Sequence, residues 1–228
     1  MGGQSVIADL TGLEFQTLRG QSAFWRAVDI LERFCAGALL LVLLPILSAV
    51  ALLIVVLSKR SPLIAHPRVG QRGRAIWVLK FRTMWDRNAI KPPFTGFVEY
   101  VACDFNPPAQ IKKRADPRVT SPFAALCRRY SIDELPQLWH VVRGEMALIG
   151  PRPLTAAELE THYSSAAGEL LRMKPGLSGL WQINGRSRLT YRQRRRLDMF
   201  MVRKWSAQLY LHILLSTIPR VLTGENAW

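Results

Sequence analysis

Cysteines and acidic residues are both scarce in this 228-residue sequence, and each shortage narrows the class of protein. The three cysteines, Cys35, Cys103 and Cys127, show no paired spacing, so the sequence indicates neither a disulfide framework nor a zinc site and suits the reduced cytosol. Asp and Glu number 16 against 31 Lys and Arg, and the formal net charge is +15. Such an excess favours an anionic partner, and charge alone leaves nucleic acid, an acidic bilayer and a phosphorylated substrate open.

Charged residues are also absent from the 24-residue run 34–57. A helix needs roughly 20 apolar residues to span a bilayer, and this run is longer. A cleaved signal peptide fits poorly, because its apolar region is about 7–15 residues long and ends in a small-residue cleavage site. Lys59 and Arg60 follow the run instead. The run therefore predicts a membrane helix.

Pro45 lies at the middle of this run, where a proline removes a backbone hydrogen bond and kinks or breaks a helix. A break would make the segment re-entrant, with both ends in the cytoplasm. A kinked helix would instead span the bilayer and export the first 33 residues. The flank after the run is basic and the flank before it carries both signs, so the charge pattern leaves both topologies open.

The densest group of chemically active residues lies between positions 128 and 153. Asp133 and Glu134 follow two arginines there, which suits phosphate chemistry: Mg²⁺ takes oxygen ligands from one or two carboxylates plus phosphates, and arginine donates to phosphate oxygens in pairs. An Asp beside such cations stays ionised and can attack phosphorus. The alternative is a helix start, in which Ser131 caps the helix and the acids oppose its macrodipole. Taken alone, the four residues Ser-Ile-Asp-Glu at 131–134 favour the helix start.

Five blocks, in order along most of the chain, resemble the bacterial sugar transferase family. These are the small monotopic phosphoglycosyl transferases that prime exopolysaccharide, O-antigen and glycoprotein assembly. The blocks are KFRTM at 80–84, DPRVT at 116–120, SIDELPQ at 131–137, LIGPRP at 148–153 and KPGLSGLWQINGR at 174–186. The chain length and the ending at 224–228 resemble the exopolysaccharide-priming branch.

The resemblance implies an enzyme that moves a sugar 1-phosphate from a UDP-sugar to polyprenyl (undecaprenyl) phosphate and releases UMP. It makes Asp133 the nucleophile that attacks the β-phosphate and forms a covalent phosphosugar intermediate. Glu134 then helps to hold Mg²⁺, together with Asp133, or assists proton transfer.

The resemblance also assigns binding residues outside the acidic pair. Lys80, Arg128 and Arg152 are the implied phosphate-binding cations, and Gln182 and Arg186 are weaker candidates for contact with the nucleotide. No motif specifies the sugar, and the number of chains in a homo-oligomer is left open.

The expected fold is α+β and mostly helical. A mobile tail (1–24) precedes a membrane-associated re-entrant helix (25–58) that is broken at Pro45. A small cytoplasmic catalytic domain (59–228) follows, with interfacial amphipathic helices such as the one predicted at 206–222. The resemblance implies the bacterial inner (cytoplasmic) membrane, with the catalytic domain on its cytoplasmic face and in contact with the lipid bilayer and its anionic lipids.

Two other classes of protein fit parts of the sequence. A membrane-anchored nucleic-acid-binding protein would use the basic stretch 186–204, with Tyr191 and Trp205 for base stacking. It gives the acidic pair no role, so no nucleic-acid partner is expected. A non-catalytic scaffold would use the pair only as a helix cap. The four histidines, His66, His140, His162 and His212, lack ligand spacing and are interpreted as packing or surface residues.

Overall fold

The structure is a computed structural model that describes residues 22–84, 96–101, 119, 121–185 and 189–223. Its elements are mostly helical, with five short strands. In chain order they are α1 (Ala23–Ser58), β1 (Leu63–Val69), β2 (Ala75–Phe81), β3 (Val98–Tyr100), α2 (Pro122–Arg129), α3 (Leu138–Val142), β4 (Ala147–Ile149), α4 (Ala156–Glu158), α5 (Ala167–Leu170), β5 (Gly176–Ser178), α6 (Leu180–Ile183), α7 (Tyr191–Arg203) and α8 (Ala207–Thr223). This is the mostly helical α+β fold with a long apolar N-terminal helix that the sequence predicts.

Helix α1 is continuous through Pro45, so the predicted break does not interrupt it. A proline inside a helix costs about 3 kcal/mol through its lost hydrogen bond and its ring clash. Buried side chains on both sides of the proline, such as Ala36 and Leu47, pack against the rest of the protein and offset that cost. The helix begins after the Ser22 cap and ends before Lys59, whose backbone is left-handed with φ 54°.

One face of α1 is buried at intervals along its length. Trp25 packs beside α6, α7 and α8, Ala36 packs beside α3 and β2, and Ile54 packs beside Phe81 and α2. The opposite face exposes large apolar side chains. They are Phe24, Ile30, Leu31, Phe34, Leu39, Leu41, Val42, Leu44, Ile46, Leu52, Leu53, Val56 and Leu57. Among the described residues, α1 is the one helix with the length and apolar composition to cross a membrane.

A three-stranded sheet with the order β2-β1-β3 follows α1. Strands β1 and β2 form an antiparallel hairpin in which Leu63 lies opposite Phe81 and Val69 lies opposite Ala75, while β3 is parallel to β1. Within the described ranges β2 pairs with β1 only. Its other edge faces the segment after α2, which carries the acidic pair.

Strands β4 and β5 form a second, parallel pair. The two backbones approach each other closely at Gly150 and Gly176. A Cβ atom at Gly176 would collide with the backbone of Gly150, and one at Gly150 would collide with the Lys174 carbonyl. Glycine is therefore required at both positions. The close crossing sets the position of the loop at 150–153, which carries Arg152.

The predicted amphipathic helix at 206–222 is present as α8. Tyr210 and Ile213 are buried against the residues around β4 and α6. Four other apolar residues of α8, at helical spacing, are more than half exposed. They are Leu211, Leu215, Ile218 and Leu222. Most of the predicted apolar stripe is therefore not covered by the described part of the protein.

Candidate active site

Asp133 and Glu134 lie in a short 3₁₀ turn, Ile132–Gln137, between α2 and α3. The alternative of a helix start with a Ser131 cap is wrong. Ser131 has a left-handed backbone with φ 57°, whereas a capping residue is normally extended, and its side chain makes no cap hydrogen bond. The acidic pair therefore does not serve as the start of a capped α-helix.

The left-handed conformation of Ser131 is strained. A left-handed backbone at a residue with a Cβ atom costs roughly 1–2 kcal/mol, because the Cβ approaches a carbonyl oxygen. Strain of this kind persists where the surrounding structure enforces it, and it concentrates at functional sites. The reversal at Ser131 turns the chain from α2 into the segment that carries Asp133 and Glu134.

Lys80 at the end of β2 contacts this turn directly. Its Nζ atom lies 2.8 Å from Oε1 of Glu134, and both side chains are partly exposed. An ion pair that is partly exposed to solvent contributes only about 0–1 kcal/mol to stability. Its main consequence is geometric, because it fixes an ammonium group beside the acidic pair.

The Asp133 side chain is partly exposed, and its charge acts on a buried neighbour. Burial, and after it the negative charge of Asp133, raises the pKa of the Cys127 thiol to about 11. The thiol therefore stays protonated at neutral pH. Cys127 is fully buried behind the turn, so its protonated thiol is not available as a nucleophile.

Arg128 lies in the last turn of α2, which packs against the turn of the acidic pair. Its side chain is partly buried, and its Nε atom has no hydrogen-bond partner in the part of the chain described here. A buried guanidinium N–H without a partner is costly and suits a ligand that accepts hydrogen bonds.

Arg152 and Gln182 belong to a second group of side chains, centred on Trp181. The guanidinium carbons of Arg152 and Arg194 lie 5.4 and 5.1 Å from the Trp181 ring centre. The Nε of Arg152 and the Oε1 of Gln182 are buried without a hydrogen-bond partner among the described residues. Arg186, the other nucleotide candidate, lies outside the described residues.

Carboxylates balance the arginines of the Trp181 group. Burial alone would raise the pKa of Glu158, but the charge of Arg152, the backbone N–H of Thr155 and weaker contacts lower it overall. The ionised Glu158 accepts a hydrogen bond of 3.1 Å from the Tyr191 hydroxyl. The sequence analysis does not identify Arg194 or Glu158 as site residues. For Arg194 the reason is that no local spacing distinguishes it from the other arginines of α7.

Asp198 is the fully buried carboxyl of the same region. The Tyr163 hydroxyl donates to its Oδ2 atom at 2.7 Å. Burial raises the pKa of Asp198 to about 7, although the Tyr163 hydrogen bond and the charges of Arg152 and Arg194 act in the opposite direction. Asp198 therefore changes its charge near neutral pH, whereas in the unfolded chain it does so near pH 4.

We expect the free energy of unfolding to fall as pH rises from about 4 to about 7 through Asp198, since the folded protein holds a proton that the unfolded chain releases. Asp198→Asn removes the titration and keeps an oxygen for the Tyr163 hydroxyl. At pH 8 the variant should be more stable than the parent, by up to about 4 kcal/mol. At pH 4 the difference should vanish. Thermal unfolding of both proteins across this range measures the effect, and an equal difference at both pH values would contradict it.

Magnesium binding is compatible with the residues at the acidic pair. Among the described residues, no three His, Cys, Asp or Glu side chains come together as a metal cage. Mg²⁺ does not need such a cage, because it commonly binds one or two carboxylates together with substrate phosphates and water. Asp133 and Glu134 supply carboxylates of this kind on one turn.

A long apolar helix beside a small α+β unit is consistent with a membrane-anchored enzyme. The family model for bacterial sugar transferases matches residues 21–224. The chain belongs to the bacterial sugar transferase family, and the resemblance in its sequence blocks is confirmed.

Three relatives illustrate the similarity. The exopolysaccharide production protein ExoY of Rhizobium meliloti is 38% identical over 210 residues, covering 89% of this chain and 87% of the relative. The UDP-glucose:undecaprenyl-phosphate glucose-1-phosphate transferase of Caulobacter vibrioides is 36% identical over 214 residues, 89% and 73% of the two chains. The UDP-galactose-lipid carrier transferase of Erwinia amylovora is 39% identical over 197 residues, 84% of this chain but 40% of that protein.

Proposed function

We propose that the protein transfers a sugar 1-phosphate from a UDP-sugar to undecaprenyl phosphate and releases UMP, as the first membrane step of exopolysaccharide or related glycoconjugate biosynthesis. The observation that carries the proposal is the acidic pair, partly exposed on a strained turn beside Lys80 in a member of this family. The name of the Caulobacter relative specifies UDP-glucose and undecaprenyl phosphate. The name of the Erwinia relative specifies UDP-galactose and a lipid carrier.

The reaction proceeds in two displacements at phosphorus. A carboxylate oxygen of Asp133 attacks the β-phosphorus of the UDP-sugar, the bond from that phosphorus to the bridging oxygen breaks, and UMP leaves with the bonding electrons. A phosphate oxygen of the undecaprenyl carrier then attacks the phosphorus of the enzyme-bound sugar phosphate, and the Asp133 carboxylate is released. Both steps need cations around the phosphates, because negative charge spreads over the oxygens in the transition state.

Cations of this chain supply part of that charge. Lys80 and Arg128 flank the acidic pair, and the unpartnered Nε of Arg128 supports its role as a phosphate donor. Arg152, Gln182 and Arg186 bind the rest of the nucleotide diphosphate in this proposal. Nε of Arg152 and Oε1 of Gln182 have no hydrogen-bond partner among the described residues. Trp181 orients Arg152 through ring contact.

Asp133 and Glu134 would hold Mg²⁺, and the bound ion supplies positive charge that offsets the phosphate oxygens. Lys80 keeps the Glu134 side chain in one orientation through the 2.8 Å ion pair. Glu134 is therefore prepared either to bind the ion or to assist proton transfer beside Asp133.

Both ends of α1 lie on the cytoplasmic side in this proposal. Asp29, near its start, forms an ion pair of 2.5 Å with Lys174, and Ile54, near its end, packs against Phe81. Both partners belong to the same folded unit (59–228), which cannot contact both ends if a membrane separates them. The exposed apolar face between the ends then enters the bilayer from one side, as in a re-entrant element.

Helix α8 supports the same arrangement. Its exposed residues Leu211, Leu215, Ile218 and Leu222 form an apolar surface, and α7 before it carries exposed Arg192, Arg196 and Arg203. An exposed apolar helix face, preceded by a helix with exposed arginines, suits the headgroup region of an anionic bilayer. The enzyme would lie at the cytoplasmic face of the bacterial inner membrane.

The nucleic-acid alternative requires two aromatic rings, those of Tyr191 and Trp205, to stack on bases, and their contacts in the structure do not support this. Tyr191 stacks on His162 with ring centres 4.1 Å apart, and Trp205 packs against Trp25 at 5.3 Å. Both rings are already in contact within the protein. The scaffold alternative loses its structural basis with the missing Ser131 cap.

The test of the proposal uses purified protein in detergent with Mg²⁺ and a panel of UDP-sugars. With undecaprenyl phosphate present, one or more sugars should give UMP release. Without the carrier, intact-protein mass spectrometry should detect a sugar phosphate on the protein, and peptide mapping should locate it at Asp133. Turnover with the carrier but no adduct without it would favour direct transfer, and no UMP release with any sugar would refute the proposed activity.

The membrane arrangement predicts one-sided labelling of the N-terminal segment. In a protein with Cys35, Cys103 and Cys127 replaced by Ala, a cysteine at position 5 (Ser5→Cys) should react with an impermeant maleimide in inverted vesicles only. Ala157→Cys, on an exposed site of α4, is the matched control and should behave identically. Labelling of Ser5→Cys in intact cells would show that α1 crosses the membrane completely.

A further inference from the structure

The open edge of β2 has an additional contact beside Lys80. The backbone N–H of Leu79 donates to Nε2 of His140 at 3.1 Å. A backbone N–H at an unpaired strand edge needs a partner once it is removed from water, and losing the partner costs about 1–3 kcal/mol. His140 on α3 supplies that partner, and its side chain is 4% exposed.

The contact defines the tautomer of the His140 ring. A nitrogen that accepts a hydrogen bond has no proton, so the ring proton is on Nδ1. Nδ1 lies 2.6 Å from Oε2 of Glu145 and donates to it. The other Glu145 oxygen is 3.0 Å from Arg143, and the backbone N–H of Glu145 donates to the His140 carbonyl at 2.9 Å. The turn after α3 therefore holds the ring from behind.

Two adjacent residues of β2 are thus attached to one segment of chain. Leu79 is attached to His140, and Lys80 is attached to Glu134, six residues earlier. Attachment at both points fixes the distance between the strand and the acidic pair. We infer that His140, oriented by Glu145, is a positioning residue that holds Lys80 against Glu134 for phosphoryl transfer, an inference that rests on the proposed function.

The sequence predicts a packing or surface role for His140, and its burial is consistent with packing. The two ring hydrogen bonds distinguish positioning from packing. An apolar side chain of similar size would fill the space but would leave the Leu79 N–H and the Glu145 carboxylate without this partner. A glutamine, with one acceptor and one donor, reproduces both contacts in part.

The first experiment compares His140→Ala with Val141→Ala, which removes a fully buried side chain of the same helix without touching β2 hydrogen bonding. Both variants should lose thermal stability. Only His140→Ala should lower kcat for UMP release, by about 10–100-fold with the KM for the UDP-sugar little changed, since small displacements of catalytic groups cost this much. His140→Gln should recover most of the loss. Equal kcat losses in the two alanine variants, or no recovery with glutamine, would overturn the inference.

A double-mutant cycle gives the second test, because His140 should act through Lys80. In a Lys80→Met background, His140→Ala should lower kcat by less than about 3-fold further, as expected for coupled residues. Independent, multiplied losses would refute the positioning role. If the parent protein shows no UMP release with any UDP-sugar, the proposed function itself fails, which distinguishes the two outcomes.

Discussion

Asp133→Asn is expected to lower UMP release by about 10³-fold or more and to abolish the sugar-phosphate adduct. The amide keeps the size and the polar character of the side chain but provides no anionic oxygen to attack phosphorus. The rates of the variant and the parent are compared in detergent with Mg²⁺, the UDP-sugar and undecaprenyl phosphate, and the adduct is measured by intact-protein mass spectrometry.

The control for this substitution is Glu160→Gln, which removes one negative charge at an exposed position outside the site. It should keep the activity of the parent within about 2-fold, because surface substitutions away from structural features have small effects. The thermal midpoint of Asp133→Asn should also stay near that of the parent, since Asp133 is partly exposed. Full turnover in Asp133→Asn would contradict covalent catalysis by Asp133.

Lys80→Met is expected to lower kcat by about 10²-fold with a much smaller effect on stability. The methionine keeps the length of the side chain and removes the ammonium group 2.8 Å from Glu134. The ion pair is partly exposed and contributes only about 0–1 kcal/mol to folding. A loss of two orders of magnitude in rate therefore cannot be explained by unfolding and must come from the site.

Lys204→Met serves as the control for Lys80, since Lys204 is an exposed lysine outside the site. Lys80→Arg should retain more activity than Lys80→Met, because arginine keeps the positive charge. It should remain below the parent, because the planar guanidinium does not reproduce the geometry of the ammonium group. The measurement is UMP release at saturating and limiting UDP-sugar, which separates kcat from KM. Equal activity in Lys80→Met and the parent would show that Lys80 has no part in the reaction.

The membrane helix illustrates what local composition can predict. An uncharged run of 24 residues is long enough to span a bilayer, so residue type alone predicts a long apolar helix there. The effect of Pro45 does not follow in the same way. Whether a proline interrupts a helix depends on the packing of the turns on either side. Here residues before and after Pro45 are buried, and the helix is continuous.

For the acidic pair, too, the sequence predicts some features and only the structure decides the others. Its identity and its place in a motif are visible in the sequence, and the helix-start alternative has the same local pattern. The left-handed backbone of Ser131 distinguishes the two, and a serine in the sequence gives no sign of it, since most left-handed positions are glycine. The conformation depends on how α2 and the turn pack against β2.

The sequence by itself determined the membrane helix, the family and the chemical types of the site residues, because these depend on composition and on short motifs. Only the tertiary structure decided that Glu134 pairs with Lys80, 54 positions away, that His140 holds the same strand, and that Arg152 joins Arg194 around Trp181. Contacts of this kind arise from the register of strand β2 against a distant turn and from helices that pack together. Local patterns of residues do not encode them.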